Sequence, residues 1–343
     1  MYQLDGTPGR TCIIEGKEYL FFSGYSYLGM NHLAAFSNLV KEGIDKYGVL
    51  FPSSRISNTR LALYQQFEEA LSDLTRMDET VSFSSGFLAG QSIAAILSNY
   101  KTILAAPGTH PAIHAGEHQI TGIGSFKEWT QYVITVINST GEDDIVLLAD
   151  SVNILQAEVN DFEFLQETAS SKKIIFLIDD SHGIGILGTN GEGIVSQLPQ
   201  KENIDYLLSY SLSKAFGIEG GCVSCNERWA TKLRHHPSYT GSTAINPSLA
   251  YAFLQSRELY ASQRNQLMKN IRLFKETRAA NFASHDFEIP VFICNSDVTE
   301  DQFFKKGIII SSFGYPHPSS PKINRVVLNA LHTKSDMLEI CGV

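Results

Sequence analysis

Short apolar runs alternate with amphipathic stretches along most of the chain, and this alternation constrains the fold more than any other feature of the sequence. The apolar runs predict buried strands, and the longer stretches with a 3.6-residue period predict helices. Strands are predicted at residues 80–83, 102–106, 145–149, 174–178, 206–210 and 222–225, and helices at 33–46, 61–75, 87–97, 111–118, 126–136 and 162–169. This pattern predicts an α/β fold with a mostly parallel central sheet, helices on both faces, and ligands at the carboxyl ends of the strands.

The two ends of the chain differ from this middle part. Residues 12–22 predict a hairpin that turns at Glu15-Gly16-Lys17. A long helical stretch at 247–278 leads to strands predicted at 288–293, 306–311 and 325–328. We therefore expect an N-terminal hairpin and arm at 1–45, a large domain at 46–240, and a long helix with a small α+β domain at 241–343, which the N-terminal part joins.

Charge and cysteine content narrow the classes of function. The 343 residues include 27 Lys and Arg against 36 Asp and Glu, which gives a net charge of −9. Such a chain lacks the positive field that nucleic acid attracts, so no nucleic-acid partner is expected. The apolar runs are too short to span a bilayer, and the polar first ten residues lack the apolar core of a signal peptide. With five cysteines, an odd number, we expect a cytoplasmic protein with reduced thiols.

The most informative stretch is residues 176–188. An apolar strand leads directly into Asp179-Asp180-Ser181-His182, so two carboxylates and a histidine follow its carboxyl end. The glycines that come next spell G-x-G-x-x-G from Gly183 to Gly188. In a dinucleotide-binding fingerprint the strand enters the glycine turn directly and a helix follows it. Here four residues intervene and turn formers follow at 189–193, so nucleotide binding is disfavoured.

A lone lysine, Lys214, lies in a predicted loop, with hydroxyl residues before it and glycines after it. A lone lysine is most often a solvated surface charge. In a water-poor cleft at the end of a strand, however, its ammonium form is disfavoured, which suits the amine for Schiff-base chemistry. Both interpretations stay open on this residue alone.

The turn Ser85-Gly86-Phe87 lies between a predicted strand and a predicted helix. Free backbone N–H groups and a small hydroxyl at a helix N-terminus form a phosphate site. An ordinary N-cap is the simpler interpretation of the turn when it is taken alone.

Histidines and cysteines offer two spacings that zinc sites also use. His110, His114 and His118 recur every four residues, but Pro111 favours the first helical turn, so we expect His110 to cap the helix. His114 and His118 are then expected on a solvated helix face. Cys222 and Cys225 form a C-x2-C within one predicted strand, and no second pair lies nearby. No metal site is predicted.

Taken together, these motifs resemble the pyridoxal phosphate (PLP) enzymes of fold type I, the aspartate aminotransferase-like class. More narrowly, the chain is similar to the α-oxoamine synthases, which include 8-amino-7-oxononanoate synthase, 2-amino-3-oxobutyrate CoA ligase, 5-aminolevulinate synthase and serine palmitoyltransferase. The resemblance extends from Tyr27-Leu28-Gly29 to Arg325. It implies PLP as the cofactor and fold type I as the architecture.

The resemblance also implies roles for individual residues around the ring. Lys214 is implied as the lysine that holds PLP covalently and later moves the substrate's α-proton. Asp179 is implied to pair with the pyridine nitrogen, His182 to bond the ring oxygen, and His110 to stack on the ring. A buried carboxylate at Asp179 keeps the nitrogen protonated, so that the ring accepts electrons.

Four further positions are implied to bind the phosphate within one subunit, a fifth to contact it from the neighbouring subunit, and one to bind the substrate. The phosphate positions are Ser85, Gly86, Phe87 and Ser211. Ser242 matches a segment that contacts the phosphate of the neighbouring subunit, which implies a homodimer with shared active sites. Arg325 is implied to hold the substrate's α-carboxylate, a task that suits a bidentate guanidinium, although a plain surface charge is the alternative.

The implied reaction condenses an amino acid with an acyl thioester, on CoA or a carrier protein, to give an α-amino ketone, as in 8-amino-7-oxononanoate synthase and biotin biosynthesis. The sequence departs from the family at 48–55, which lacks the usual glycines before Ser-Arg, at Tyr64, where the family has histidine, and at 150–157. These departures lie mainly on the acyl-donor side. Aminotransfer or another PLP reaction without CoA therefore stays open, as does a non-catalytic binding module of the same fold.

Overall fold

A computed structural model describes residues 2–278, 280–315 and 317–342. Its strands are β1 (Thr11–Ile14), β2 (Lys17–Phe22), β3 (Glu79–Phe83), β4 (Ile103–Ala105), β5 (Ile120–Thr121), β6 (Asp144–Asp150), β7 (Val152–Asn153), β8 (Glu158–Val159), β9 (Lys173–Asp179), β10 (Ile204–Ser211), β11 (Gly221–Cys225), β12 (Val291–Ile293), β13 (Ile308–Gly314) and β14 (Lys322–Val327). Its α-helices are α1 (Ala34–Tyr47), α2 (Ala62–Thr75), α3 (Gly86–Leu97), α4 (Phe126–Ser139), α5 (Glu227–His235), α6 (Pro237–Thr240), α7 (Pro247–Gln255), α8 (Arg257–Thr277), α9 (Glu300–Lys305) and α10 (Lys334–Cys341).

The central sheet has seven strands in the order β3-β11-β10-β9-β6-β4-β5. It is parallel from β10 to β5, and β11 runs antiparallel to both of its neighbours. Along β9, Phe176 and Ile178 pack into one apolar cluster and Leu177 into another, so the sheet is buried on both faces. The predicted α/β fold with a mostly parallel sheet is confirmed.

A second sheet joins the two ends of the chain in the order β1-β2-β13-β14-β12. Glu15 and Gly16 both have positive φ at the turn between β1 and β2, as a tight hairpin requires. β2 then pairs in parallel with β13, where Leu20 faces Ile308. The N-terminal hairpin therefore lies in one sheet with the C-terminal strands; the domain boundaries at residues 45 and 240 stay a prediction.

Three predicted helices differ from the structure. Residues 111–118 contain only a 3-10 turn, Pro111–Ile113, because the backbone turns extended at His114 and reaches positive φ at Gly116. Residues 162–169 likewise contain a 3-10 segment, Glu163–Glu167. The long helix at 247–278 divides into α7 and α8 at Ser256, whose hydroxyl donates to the carbonyl of Ala252 at 2.6 Å and competes with the helix ladder.

The longest described helix, α8, carries many charged residues. Within the described ranges, no helix has both the length and the apolar content that crossing a bilayer requires.

Candidate active site

The site forms where three neighbouring strands end. Asp150 at the end of β6 faces Asp179 at the end of β9, and Asp179 in turn faces Ser209 on β10. Parallel strands bring their carboxyl ends to one edge of the sheet, which is why side chains so far apart in sequence meet here. Asp179 Oδ1 accepts a hydrogen bond from the backbone N–H of Ser181 at 2.9 Å, which fixes the carboxylate at the start of the following turn.

A chain of hydrogen bonds runs from the lysine into the protein. Lys214 Nζ lies 2.9 Å from His182 Nε2, and His182 Nδ1 lies 2.7 Å from the hydroxyl of Tyr27. Because a charged ammonium only donates, His182 Nε2 accepts from it, and Nδ1 then carries the proton and donates to Tyr27. Burial lowers the pKa of His182 well below its ordinary value, and the charge of Lys214 lowers it further. His182 is therefore neutral.

Burial also lowers the pKa of Lys214, although the charges of Asp179 and Asp150 oppose that effect. A lysine with a lowered pKa has a larger fraction of free amine near neutral pH, which is the nucleophilic and basic form. The structure thus favours the functional interpretation of this lysine over a solvated surface charge.

His110 lies over the same cleft and caps the 3-10 turn that follows it, as the sequence predicts. Its Nδ1 accepts from the backbone N–H of Ala112 at 3.2 Å and lies 3.8 Å from Asp179 Oδ2. About half of its side chain is exposed, and it lines the cleft together with Asp179 and Lys214. Its backbone N–H donates to Asp150 Oδ1 at 3.0 Å, which holds the histidine at the end of β6.

Asp150 is a site residue that sequence reasoning missed as a functional group. Burial raises its pKa well above the ordinary value, and the neighbouring charge of Asp179 raises it further. The sequence contains a signal for this residue, because Asp150 directly follows one predicted strand just as Asp179 directly follows another. The neighbour relationship of those two strands was not readable from the sequence.

A glycine-lined recess adjoins the cleft at the start of α3. Ser85 caps this helix, with its Oγ accepting from the backbone N–H of Leu88 at 3.1 Å. A Cβ on Gly86 would lie 2.6 Å from Ser211 Cβ, and a Cβ on Gly221 would lie 2.3 Å from Gly86 Cα. Only glycine fits these two positions. The cavity of about 470 Å³ beside them is lined by Ser85, Gly86, Phe87, Ser211 and Ser213 together with residues of the 217–220 loop and Asn31.

Arg325 brings the second sheet to the site. Its Nη1 donates to the carbonyl of Ile154 at 2.9 Å, and Cζ lies 4.9 Å from the centre of the Phe313 ring. Nε is buried without a hydrogen-bond partner, and the guanidinium makes no ion pair within the described part of the chain. Burial lowers the pKa of this arginine. A buried cation without an anionic partner is a place for a carboxylate ligand.

The remaining sequence candidates lie apart from this cleft. Ser242 lies between α6 and α7, with Oγ buried and lacking a described partner. His114 and His118 do not share a helix face, because no α-helix forms there; their Nε2 atoms bond the carbonyls of Thr109 and Tyr100. Cys222 and Cys225 are both buried in β11. Among the residues described, no three His, Cys, Asp or Glu side chains form a metal-binding group.

The assembled groups fit PLP. The lowered pKa of Lys214 suits an amine that reacts with an aldehyde, and Asp179 supplies a carboxylate for a pyridine nitrogen. The helix N-terminus at Gly86, with the hydroxyls of Ser85 and Ser211 beside it, suits a phosphate. Because neither Gly86 nor Gly221 has room for a Cβ, the start of α3 packs directly against Ser211 and β11 beside this recess.

Comparisons with known proteins show the family of this chain. The model of the family described as aminotransferase class I and II matches residues 18–343. The 8-amino-7-oxononanoate synthase of Thermosipho melanesiensis is 24% identical over 356 aligned residues, which cover 97% of this chain and 89% of the relative.

Two solved structures share the fold. A serine palmitoyltransferase from S. paucimobilis with bound PLP superposes with a TM-score of 0.83 at 19% identity, covering 100% of this chain and 90% of that one. An 8-amino-7-oxononanoate synthase from Francisella tularensis superposes with a TM-score of 0.71 at 24% identity, covering 93% and 94%. The predicted fold type I architecture and the resemblance to α-oxoamine synthases are confirmed. The chain belongs to the aminotransferase class I and II family.

Proposed function

We propose that this protein is a PLP-dependent transferase that condenses an amino acid with an acyl thioester to give an α-amino ketone, in the manner of the 8-amino-7-oxononanoate synthases that it resembles. The C–S bond of the thioester breaks with release of the free thiol, and the carboxylate of the amino acid leaves as CO2. The observation that carries the proposal is the convergence on one cleft of Lys214, Asp179 and Arg325, whose buried Nε has no described hydrogen-bond partner. When bound, PLP supplies an aldehyde that captures amines and a ring that accepts the electron pair released at the α-carbon of the amino acid.

Lys214 performs the proton transfers. Its Nζ lies at the end of a buried hydrogen-bond chain through His182 to Tyr27, so its position is fixed by two further side chains. The lowered pKa lets the amine take the α-proton of the amino acid and return a proton at the end of the reaction. Asp179 holds a proton on the pyridine nitrogen, and its own position is fixed by the N–H of Ser181.

Arg325 and His110 orient the reactants. The unpartnered Nε of Arg325 and its neighbouring Nη atoms bind the α-carboxylate in a bidentate manner, which places the α-carbon next to Lys214. His110 covers one face of the cleft with its half-exposed ring. The N–H groups at the start of α3 and the hydroxyls of Ser85 and Ser211 bind the phosphate.

The choice of second substrate tests the reaction. The PLP-loaded protein is incubated with each small amino acid and, in separate samples, with an acyl-CoA, an acyl carrier-protein thioester or a keto acid. Release of free thiol together with an amino ketone supports the proposal. Conversion of the keto acid to an amino acid, with no thiol released from either thioester, identifies an aminotransferase and overturns it.

We infer in addition a cytoplasmic homodimer in which Ser242 reaches the phosphate of the neighbouring subunit. Two features support this: the buried Ser242 Oγ lacks a described partner, and apolar side chains near the cleft are more than half exposed, namely Val49, Leu50, Ile56 and Phe87.

Mixed dimers test the shared site. Lys214→Ala and Ser242→Asp proteins, each poorly active alone, are mixed and allowed to exchange subunits. If Ser242 acts across the interface, each mixed dimer contains one intact site and activity returns toward half of the wild-type value per dimer. Activity that stays at the sum of the two parents shows that Ser242 does not act across the interface.

A further inference from the structure

A second cavity lies outside the Lys214 cleft, between α2, the loop at 185–192 and helices α7 and α8. Its volume is about 570 Å³, within the range of pockets that hold small molecules. None of the residues assigned to the proposed reaction lines it. The residues that line this cavity therefore indicate a function separate from the proposed reaction.

Three aromatic rings form the floor of this cavity. Phe216, Phe253 and Tyr260 contact one another, with ring centres 5.2 to 5.4 Å apart. Each of these side chains is less than 10% exposed, and the hydroxyl of Tyr260 donates to the carbonyl of Phe216 at 3.1 Å. The floor is therefore apolar and rigid, because its one polar group is already paired. It suits an aliphatic or aromatic body.

The walls of the cavity are held in place by arginines that are already engaged. Arg264 donates to the carbonyls of Ile186, Gly188 and Thr189, which fixes the loop. Arg76, the residue that ends α2, bonds Glu192 across the groove at 2.9 Å. These two guanidinium groups have protein partners, so neither is left to attract a ligand.

Arg257 is different. It lies exposed at the start of α8 on the rim of the cavity, and within the described ranges it has no hydrogen bond or ion pair. The lining carries three arginines, Arg76, Arg257 and Arg264, against two carboxylates, Asp73 and Glu192, and the buried Glu192 is already paired with Arg76. Three cations and two anions leave a net charge of +1. Within the described ranges Arg257 is the lining cation without a partner, so it attracts a ligand that carries one negative charge.

We propose that this cavity binds a small amphipathic monocarboxylate, with its apolar body on the Phe216–Phe253–Tyr260 floor and its carboxylate on Arg257. The site lies apart from the cleft of the proposed reaction. Its existence does not depend on that reaction, since no residue is shared between the two.

Titration calorimetry on the PLP-loaded protein tests the proposal, with octanoate as the probe. Octylamine has the same body and the opposite charge, and inorganic phosphate is an anion without a body. We expect octanoate to bind at one site per chain and neither of the other probes to bind. Absence of octanoate binding, or equal binding of octylamine, overturns the proposal.

Variants separate this cavity from the catalytic cleft. Arg257→Ala is expected to weaken octanoate binding about tenfold, as the loss of a charge-assisted hydrogen bond does. Ala261→Trp is expected to abolish binding by filling the cavity, which Ala261 lines from the exposed surface of α8. Arg272→Ala, an exposed arginine on the same helix that does not line the cavity, is the matched control and leaves the Kd unchanged.

Octanoate could also enter the cleft as an acyl mimic, and Lys214→Ala and Arg325→Ala distinguish that outcome. If octanoate binds both of these variants as well as it binds the wild type, its site lies outside the cleft, whatever reaction the protein catalyses. If Arg325→Ala weakens binding and Arg257→Ala does not, the probe occupies the cleft and the proposal is wrong.

Discussion

Two arginines, Arg55 in the loop before α2 and Arg325 within β14, have opposite surroundings. Arg55, in the loop before α2, has a side chain only 6% exposed; it donates to the carbonyl of Ser82 at 2.6 Å and lies 3.7 Å from Glu68. Its guanidinium carbon also lies 3.7 Å from the centre of the Tyr239 ring. Arg325, over the cleft, has no described acidic partner and a buried Nε without a hydrogen bond. A cation that the protein has already paired is structural, whereas a buried cation left unpaired is available to a ligand.

A similar difference separates the strand ends from the loop between α1 and α2. At the strand ends, Asp179, His182 and Lys214 are held by hydrogen bonds and face the cleft. In the loop between α1 and α2, the side chains of Val49 and Ile56 are 60% and 65% exposed. These strand-end side chains are thus fixed by contacts within one chain. The loop side presents apolar surface that the proposed second subunit would cover.

The largest expected effect comes from Lys214→Ala. We expect turnover to fall by about 10³-fold or more, because the variant loses both the covalent anchor and the proton carrier. We also expect the visible absorbance of the covalently bound cofactor to disappear, which a spectrum of the purified protein measures. Lys269→Ala, an exposed lysine on α8, is the control and should keep both properties. A Lys214→Ala protein with the wild-type spectrum and full turnover would refute the assignment.

The second prediction tests the two arginines directly. Arg325→Ala should raise KM for the amino acid roughly 10- to 100-fold, the cost of losing a charge-assisted bidentate contact, with little change in the urea midpoint of unfolding. Arg55→Ala should leave that KM nearly unchanged and lower the free energy of unfolding by about 1–2 kcal/mol, because the carbonyl of Ser82 loses its buried donor while Glu68 keeps Arg234. Initial-rate kinetics and urea titration of both variants measure the contrast. If Arg55→Ala raises the KM and Arg325→Ala lowers the free energy of unfolding, the contrast between the two arginines is wrong.

The sequence predicted one part of this contrast well. The order of the strands in the sheet could not be predicted from the sequence. The strands that end in candidate site residues could be predicted, because a buried parallel strand is a short apolar run bounded by polar residues. The residue pattern alone therefore places Asp179 and His182 at the carboxyl end of a strand. The motif resemblance then supplied Lys214 and Arg325.

Other features depended on contacts between distant segments. The neighbour relationship of β6 and β9, which brings Asp150 beside Asp179, is set by packing and leaves no local signal. The inward turn of Arg55 depends on Glu68 and Tyr239, which lie on two other elements. The helix predicted at 111–118 does not form, because the extended backbone at His114 and the positive φ of Gly116 end the turn that Pro111 begins.

A third prediction concerns pH and the fully buried Asp180. Burial raises the pKa of this carboxyl to about 7, so the folded state keeps a proton that the unfolded chain releases near pH 4. Stability due to this group is therefore present at low pH and is lost as the pH rises from about 4 to about 7. Asp180→Asn has no carboxyl that titrates at this position. Its free energy of unfolding, measured by urea titration and compared with that of the wild type, should therefore rise by about 2 kcal/mol from pH 5 to pH 8.

Asp205 provides the control with the opposite sign. Burial alone raises its pKa, but hydrogen bonds from Lys173 and Trp229 outweigh burial and lower it. Its stabilising contribution is present above the unfolded value and is lost only as the pH falls below about 4. Asp205→Asn should therefore cost the same amount of stability at pH 5 and at pH 8. A pH-independent difference for Asp180→Asn as well would show that Asp180 does not titrate in this range.

The smallest effect is expected from Tyr27→Phe, which tests whether Tyr27 fixes the position of His182 as the distance between them indicates. The change removes the hydroxyl 2.7 Å from His182 Nδ1 and leaves that N–H buried without a partner, which costs about 1–3 kcal/mol of folding stability. With its second nitrogen released, the ring of His182 can reorient, and we expect a several-fold lower kcat with an unchanged KM for the amino acid. Nitrogen NMR of the histidines should show that His182 no longer favours one tautomer. Tyr206→Phe, which removes a hydroxyl that donates to the carbonyl of Pro199 at 2.7 Å, should change neither kcat nor the His182 signal. A Tyr27→Phe protein with an unaltered His182 tautomer would mean that Lys214 alone sets the histidine, and that the hydrogen-bond chain ends at His182.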